Sequence, residues 1–412
     1  MNKSNPIVGI DIGTTKIAVC VGEVREGILT VTSLVKTINS GMRKGEIIDL
    51  DDTVSAISSV LQLAEQECQT QISNAFVGIG GAHISTLVSR GTVAVSKPNG
   101  EITQVDIDRV IETSRVIALP ANKEIIHVIP KYFIIDGQEE TKDPIGLTGV
   151  RLEVESLIVA GSSNSIRNLT RSVSQAGITL DGLLFSPLAT GHALLDKKQK
   201  ETGVILVDLG GGTTSIAVYE EKDMVHSAII PLGSVSITND IARGLKTSLE
   251  NAEQIKIKYG TADVEKVKST EKIHMNKFDP DDDNVYDRKF LSEIIEARVK
   301  EIFEIIIKEL RNINKDGLLP AGIVFTGGGA NLDGIIELAK HELQLPAQIG
   351  KPNLEISGSV NNLDDPDYST ALGLMLDGYD QLGNGGFSFS LPKGNVTDIL
   401  STAKGWLQKF LP

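Results

Sequence analysis

The chain has 412 residues, more than one hydrophobic core is expected to sustain, so two or more domains are expected; 41% hydrophobic and 23% charged residues describe a folded protein and exclude a disordered one. Its 54 acids against 40 bases give a net charge of -14, which excludes sequence-independent binding to nucleic acid, or to an anionic membrane, by bulk charge. Any lipid contact therefore has to be local. The two cysteines, Cys20 and Cys68, do not form a C-x-x-C spacing, which suits a reducing cytoplasm. The opening MNKSNPIVGIDIG lacks the long apolar core of a signal peptide, and no run of about 18 apolar residues is present to span a bilayer. The expectation is a protein that is neither exported nor transmembrane.

In chain order, the first predicted element is a strand, NPIVGI, that ends at Asp11, turns through Gly13, Thr14 and Thr15, and continues from Lys16 into the β-branched run IAVCVGEV. About two hundred residues later the chain repeats the phrase. TGVILV leads to Asp208, Gly210, Gly211, Gly212 and Thr213 make the turn, and IAVYEE follows. Without two inserted glycines both copies read D-x-G-T-T-x-I-A-V. Glycines let a turn bring main-chain N–H groups close to an anion, and threonine hydroxyls add donors, so each hairpin is suited to phosphate oxygens. An Asp at the end of the first strand then needs a cation between itself and the anion, and Mg²⁺ held through waters is the natural one. One such hairpin reads equally well as a plain glycine turn. Two with matching Asp residues read as two similar halves gripping one polyphosphate from opposite sides.

Between the copies, residues 84–163 carry the strand RGTVAVS, the Asp-capped helical stretch DIDRVIETSRVI, and the strands EIIHVIPKYFIID and LEVESLIVAG, a compact insertion with its own pattern. A helix, SIRNLTRSVSQAGI, and the segment LLFSPLAT lead back to the second copy. Beyond it, AEQIKIKYG places Glu253 and Lys256 three apart on one helix face, and the acidic run FDPDDDNVYDRKF at 278–290 reads as a solvated loop. A third glycine cluster, IVFTGGGANLDG, offers strand, glycine turn (Gly327, Gly328, Gly329) and helix start, a flat backbone surface on which a nucleoside could rest. There is no G-x-x-x-x-G-K-[ST], no strand followed by G-x-G-x-x-G, no G-x-S-x-G elbow, and no ligand-like spacing among the six histidines.

After Asp380 the stretch QLGNGGFSFSLPKGN reads as a flexible linker, and NVTDILSTAKGWLQKFLP as a terminal helix capped by Asn395. At 100° per residue Val396, Ile399, Leu400, Ala403, Trp406, Leu407, Phe410 and Leu411 fall in one arc of roughly 140°, with Lys404 and Lys409 on its flanks. The pattern points to an in-plane membrane anchor; a helix docked on the body or on a partner is the alternative. Seven large apolar side chains, each half-buried at on the order of 1 kcal/mol, offer roughly 7 kcal/mol before the cost of ordering the helix is subtracted. One tail holds weakly, so stable attachment calls for several tails on one polymer.

The hairpins and the late GGG resemble the phosphate and adenosine elements of the actin, heat-shock ATPase and sugar-kinase superfamily. Within it, VGIDIGTTKIAV, VGIGGAHI, HVIPKYFIIDG, DPIGLTGVRLEV, VDLGGGTTSIAVY, TNDIARGLKT, AEQIKIKYG, EARVKEIFE, GIVFTGGGANLDG and the tail resemble the FtsA family of bacterial cell-division proteins along nearly the whole chain. The resemblance implies an α/β fold of the actin-like, duplicated ribonuclease-H-like type, two halves with an interdomain nucleotide cleft. It implies a first-half core at 1–83 and 164–200, the FtsA-type inserted subdomain at 84–163, a second-half core at 201–232 and 301–379, a small subdomain at 233–300, a linker at 380–394 and an amphipathic helix at 395–412. On it, ATP and Mg²⁺ are the ligands. Asp11 and Asp208 orient the water-bound metal, Gly13, Thr14, Thr15, Lys16, Gly210, Gly211, Gly212 and Thr213 hold phosphates, Glu253 and Lys256 lie near the ribose, and Gly327, Gly328 and Gly329 near the adenosine. No residue can be assigned to positioning an attacking water, so weak ATPase activity at most is implied. The implied partners are the C-terminal peptide of the tubulin-like protein FtsZ, other copies of the chain in an actin-like filament, membrane lipids, and other divisome proteins through the inserted subdomain, all on the cytoplasmic face of the membrane at the division septum. Arg288, Lys289 and Arg298 are the basic candidates for the FtsZ peptide. One departure stands out: the family shows paired glycines after the second hairpin, where this chain has Gly233 followed by Ser234. The alternatives are an FtsA-like pilus-assembly protein, which has no reason for its own anchor, and a small-molecule kinase, which needs an Asp base at a sugar-sized pocket.

Overall fold

The computed structural model describes residues 6–25, 28–352, 357–358, 360 and 362–384. The linker and anchor segment at 385–412, with Val396, Ile399, Leu400, Trp406, Leu407, Phe410 and Leu411, lies outside the described residues.

Two sheets repeat one pattern. In the first half the order is Thr179–Phe185, Asn74–Ile79, Ile7–Ile12, Lys16–Arg25, Ile28–Ile38, with the two-residue strand Ser357–Gly358 at the far edge. In the second it is Ala347–Ile349, Ile323–Thr326, Val204–Leu209, Thr214–Glu220, Asp223–Ile230. In both, the first three strands run parallel and the last two pair antiparallel, so the strand ending in Asp11 and the strand ending in Asp208 occupy the same place. The duplication seen in the hairpins reaches the neighbouring strand as well. Asn74–Ile79, followed by Gly80 and Gly81, is the counterpart of Ile323–Thr326, followed by Gly327, Gly328 and Gly329.

These strands form because their apolar, β-branched runs are buried almost continuously, as in Val204–Leu209, where only Asp208 is not fully buried. The helices cover the sheets through stripes at helical spacing. Leu50–Cys68 starts at Asp49, whose carboxylate accepts the Asp52 N–H, and buries Ile57, Val60, Leu61 and Ala64. The insertion forms a separate four-stranded sheet, ordered Ser85–Ala94, Arg151–Ser162, Lys123–Ile135, Glu139–Thr141, with the helix Gln104–Ser114 packed on it over a small core of its own. It touches both halves. The buried His127 ring accepts the Phe185 main-chain N–H at 2.8 Å in the first half, and Lys142 pairs with Asp223 at 2.6 Å in the second.

Three expected boundaries are corrected. The segment after 356 was expected in the second-half core, yet Ser357–Gly358 pairs with Ile28–Ile38, and the helix Ser369–Asn384 packs its Ala371, Leu372 and Met375 into the first half's core. Small residues decide this seam. A Cβ on Gly9 would lie 2.2 Å from the Ala371 carbonyl oxygen, so strand and helix meet there backbone to backbone, and one on Gly378 would lie 2.5 Å from the Phe76 ring, which packs directly on the helix backbone. The linker was expected from 380, but this helix is described through Asn384, with Tyr379 still against the core. Finally, a boundary at 300 falls inside one helix, Arg288–Asn312, whose buried face is unbroken from Leu291 to Leu310.

Candidate nucleotide-binding cleft

A cavity of about 910 Å³ opens between the halves, within the range usual for ligand sites. Gly13, Thr14, Thr15 and Lys16 line it from one side, and Gly210, Gly211, Gly212 and Thr213 from the other. The two turns close alike: Gly13 N–H donates to the Lys16 carbonyl at 2.9 Å, and Gly210 N–H to the Thr213 carbonyl at 3.0 Å. Their strands pair in matching register, Asp11 opposite Ala18 and Asp208 opposite Ser215. The two glycines read as insertions are therefore not insertions: the turns are equal in length, Gly211 and Gly212 stand where Thr14 and Thr15 stand in the first copy, and they have a geometric reason to be glycine. A Cβ on Gly211 would stand 2.6 Å from the Thr15 hydroxyl, and one on Gly212 would stand 2.5 Å from the Thr14 hydroxyl, so these are the points where the hairpins touch.

Asp11 and Asp208 sit recessed at the floor of the cleft. Burial pushes the Asp11 carboxyl up to about 7; Lys16 opposes that shift, while Asp208 and Asp367 add to it. Asp208 is likewise raised by burial, against Lys16 and a hydrogen bond from Thr370. Two shielded carboxylates that resist ionisation side by side are a donor set suited to a hydrated divalent cation.

The single Gly233 suffices where paired glycines were expected. A Cβ there would lie 2.5 Å from the Gly211 carbonyl oxygen and 2.7 Å from that of Gly210, whereas Ser234 uses only its main chain, donating to Gly210 O at 2.9 Å. Its helix, Ser234–Gly244, thereby docks against the second hairpin.

Glu253 and Lys256 line the cleft together. The Lys256 ammonium donates to Glu253 at 2.7 Å and to the Thr238 hydroxyl at 2.9 Å, and that hydroxyl donates in turn to Glu253. The third glycine cluster also borders the cavity, and its glycines are dictated largely by the second hairpin. A Cβ on Gly327, whose φ is +80°, would meet Asp208 Oδ1 at 2.2 Å, and one on Gly329 would meet the Leu209 side chain at 2.4 Å. The cluster is a strand, then the 3₁₀ turn Gly328–Asn331, then the helix Ile335–Leu343.

Lys36, Ser186, Ile237, Ile257, Leu332 and Asp367 line the cleft too and were missed from the sequence. They come from separate elements; Lys36, Ile237 and Asp367 carry no local motif, whereas Ser186, Ile257 and Leu332 lie inside stretches read for other residues. VGIGG at 77–81 was the readable signal for Gly80 and Gly81.

Arg288, Lys289 and Arg298 do not line the cleft; all three belong to Arg288–Asn312. Arg288 is held by Glu271 at 2.7 Å and by the Tyr259 carbonyl, and Arg298 by Asp240 at 2.6 Å and by Glu301. Lys289 is exposed beside the half-exposed Phe290. The acidic run beside them is solvent-exposed, as expected, but ends in a short strand, Val285–Asp287, paired with Lys272–His274. Among the described residues no helix is long and apolar enough to cross a membrane.

Comparison with known proteins gives a consistent result. The model of "Cell division protein FtsA" matches residues 205–373, and that of the SHS2 domain inserted in FtsA matches residues 81–160. The cell division protein FtsA of Pseudomonas aeruginosa is 35% identical over 409 residues, covering 98% of this chain and 97% of that one. That of Bacillus subtilis is 38% identical over 375 residues, 91% of this chain and 84% of the relative. Among solved structures, the PilM-PilN type IV pilus biogenesis complex aligns with a TM-score of 0.66 at 16% identity, over 90% of this chain and 98% of that one. MreB5 of Spiroplasma citri bound to ADP aligns with a TM-score of 0.52 at 14% identity, over 92% and 97%. At those identities the structures speak for the actin-like fold alone.

Proposed function

This chain belongs to the FtsA family of cell-division proteins, and from that premise we propose that it is an ATP-binding, actin-like protein that polymerises on the inner face of the cytoplasmic membrane and tethers FtsZ there at the division site. The observation that carries the nucleotide part is the meeting of the two hairpins at Thr14, Thr15, Gly211 and Gly212, in a cleft also lined by the recessed carboxylates of Asp11 and Asp208 and by a glycine-rich wall. Main-chain N–H groups and hydroxyls from both halves face one space sized for a nucleotide. Asp11 and Asp208 would hold a hydrated Mg²⁺ ion, which would supply charge neutralisation to the phosphates. The chain's own contribution is to orient those phosphates from both halves at once, so that binding links the halves. The MreB5 relative of like fold is bound to ADP in one structure and AMPPNP in another, which supports this reading.

The FtsZ contact is assigned to the small subdomain around Arg288–Asn312. Lys289 and Phe290, with exposed Val285 and Leu249 on neighbouring segments, offer a charged and apolar surface for an acidic, amphipathic peptide. The membrane contact is assigned to 395–412, on its sequence pattern. Because one tail is weak, filament formation multiplies its affinity. The pilus-type reading shares the fold and leaves the amphipathic tail without a use.

The test is co-sedimentation of the full chain, and of a variant ending at Gly394, with anionic liposomes, with and without ATP and Mg²⁺. Pelleting of the full chain only, enhanced by ATP, is the expected result. Equal behaviour of the two proteins removes the anchor from the account.

A further inference from the structure

We propose that Asp367 is a counter-anion that competes with the nucleotide's phosphates for Lys16, so that binding exchanges one anion for another on that ammonium; this rests on reading the cleft as a nucleotide site. Asp367 lies in the short 3₁₀ segment Pro366–Tyr368, just ahead of the helix Ser369–Asn384. Both of its carboxylate oxygens are taken, Oδ1 by Lys16 of the first hairpin and Oδ2 by Lys36 of the adjoining strand. The Lys16 ammonium also donates to the Asp367 carbonyl oxygen at 2.6 Å. Lys36 has a second carboxylate, Asp365, at 3.3 Å, and lies 5.1 Å from the centre of the Tyr368 ring.

The arrangement is built to exchange. Lys16, Lys36 and Asp367 all face the cavity that the two hairpin turns line, so an entering polyphosphate meets Lys16 already engaged. With the carboxylate only 16% exposed and Lys16 21% exposed, the pair is stronger than a surface ion pair and has to be displaced. Two ammonium groups share one carboxylate. When Lys16 turns to a phosphate, Lys36 still neutralises Asp367, and no uncompensated charge is left shielded from water. The ammonium has three donors, so the Asp367 carbonyl can keep one while the others reach the ligand. The carboxylate also borders the glycine wall, 2.7 Å from where a Cβ on Gly328 would stand. One side chain thus touches the phosphate hairpin and the wall opposite it. The position carries no motif, and its partner Lys16 lies 351 residues away.

The measurement is equilibrium binding of ATP and of adenosine to the full-length chain. Asp367→Asn keeps the shape and removes the charge; ATP affinity is expected to rise by about 10-fold, with adenosine unchanged within about twofold. In a Lys16→Met background the same substitution is expected to gain less than about twofold for ATP. Equal or weaker ATP binding by Asp367→Asn overturns the proposal. So does a gain that survives in Lys16→Met, because it would then reflect only the removal of a negative charge. Lys36→Met, which leaves Asp367 to Lys16 alone, is expected to weaken ATP about threefold. Should Asp367→Asn fail to fold, unchanged ATP affinity in Lys36→Met overturns the proposal instead. Absence of ATP binding by the wild type overturns the nucleotide reading itself, a result distinct from wild-type binding with no response to Asp367→Asn.

Discussion

Replacing Gly233 by alanine isolates a steric effect at the point where the second hairpin is held. Gly233 has φ -151° and ψ -170°, extended backbone that alanine adopts freely, so no conformational strain is introduced. The new Cβ would sit 2.5 Å from Gly211 O, 2.7 Å from Gly210 O and 2.7 Å from Thr213 N. All three are main-chain atoms and cannot rotate away. Opening the shortest contact to an ordinary separation moves the helix Ser234–Gly244 back by roughly 1 Å, which stretches Ser234 N–H to Gly210 O and Val235 N–H to Gly211 O, both 2.9 Å, beyond hydrogen-bond range. Two main-chain bonds at about 1 kcal/mol each, with about 1–3 kcal/mol for overpacking, give a destabilisation of about 3–5 kcal/mol. The two lost bonds are those by which the helix holds the hairpin Gly210–Thr213, so ATP affinity falls together with the melting temperature. Ser234→Gly, which restores the paired glycines, costs about 1 kcal/mol at most, because the native serine contributes only its main chain to this contact. Thermal unfolding and ATP titration of both variants check this. A Gly233→Ala protein that melts and binds like the wild type, or a Ser234→Gly protein equally damaged, refutes the reasoning.

Gly373→Ala places a Cβ 1.9 Å from the Ala189 carbonyl oxygen, where the helices Ser186–Leu194 and Ser369–Asn384 cross, and an expected loss of about 3 kcal/mol or more appears as a lower melting temperature or an insoluble product. Burial holds the His127 imidazole down at about 3, far below its ordinary value, so the unfolded chain binds the extra proton first on acidification. Stability is therefore lost as pH falls below about 6.5, amounting to about 2 kcal/mol by pH 5, and His127→Gln, whose amide oxygen can still accept the Phe185 N–H, removes that part of the slope in denaturant titrations. Lys289→Glu is expected to weaken binding of an FtsZ C-terminal peptide several-fold by fluorescence anisotropy, while Arg298→Ala acts first on stability by removing the partner of Asp240, which is about one-fifth exposed in the intact pair.

Much of the cleft's lining was legible because a strand, glycine turn and strand form a local unit. Gly13, Thr14, Thr15 and their later counterparts lie within a few residues of the Asp that faces them, and local spacing survives folding. What the repeat did not disclose was that the two turns are equal in length, with Gly211 and Gly212 in the places of Thr14 and Thr15; why those places are glycine, with Thr14 and Thr15 against them, shows only once the halves face each other. Lys36 and Asp367 escaped notice for the same reason, since their meeting spans 331 residues. The helix Ser369–Asn384 was given to the wrong half because it follows the second half's strands, whereas the seam is chosen by Gly9, Ala371 and Gly378, small residues whose close approach leaves no periodic trace. Charge was visible at Arg288 and Arg298, but Glu271 and Asp240, their partners, were not. A pattern reading sees which side chains are charged and not which are already neutralised.

The most direct test of the account is calorimetric titration of the full-length chain with ATP, with and without Mg²⁺, beside an Asp208→Asn variant. The account predicts saturable binding at one site per chain, weakened about tenfold or more when Mg²⁺ is withheld or Asp208 is neutralised. No saturable binding at millimolar ATP, or binding indifferent to both the metal and Asp208, would contradict it.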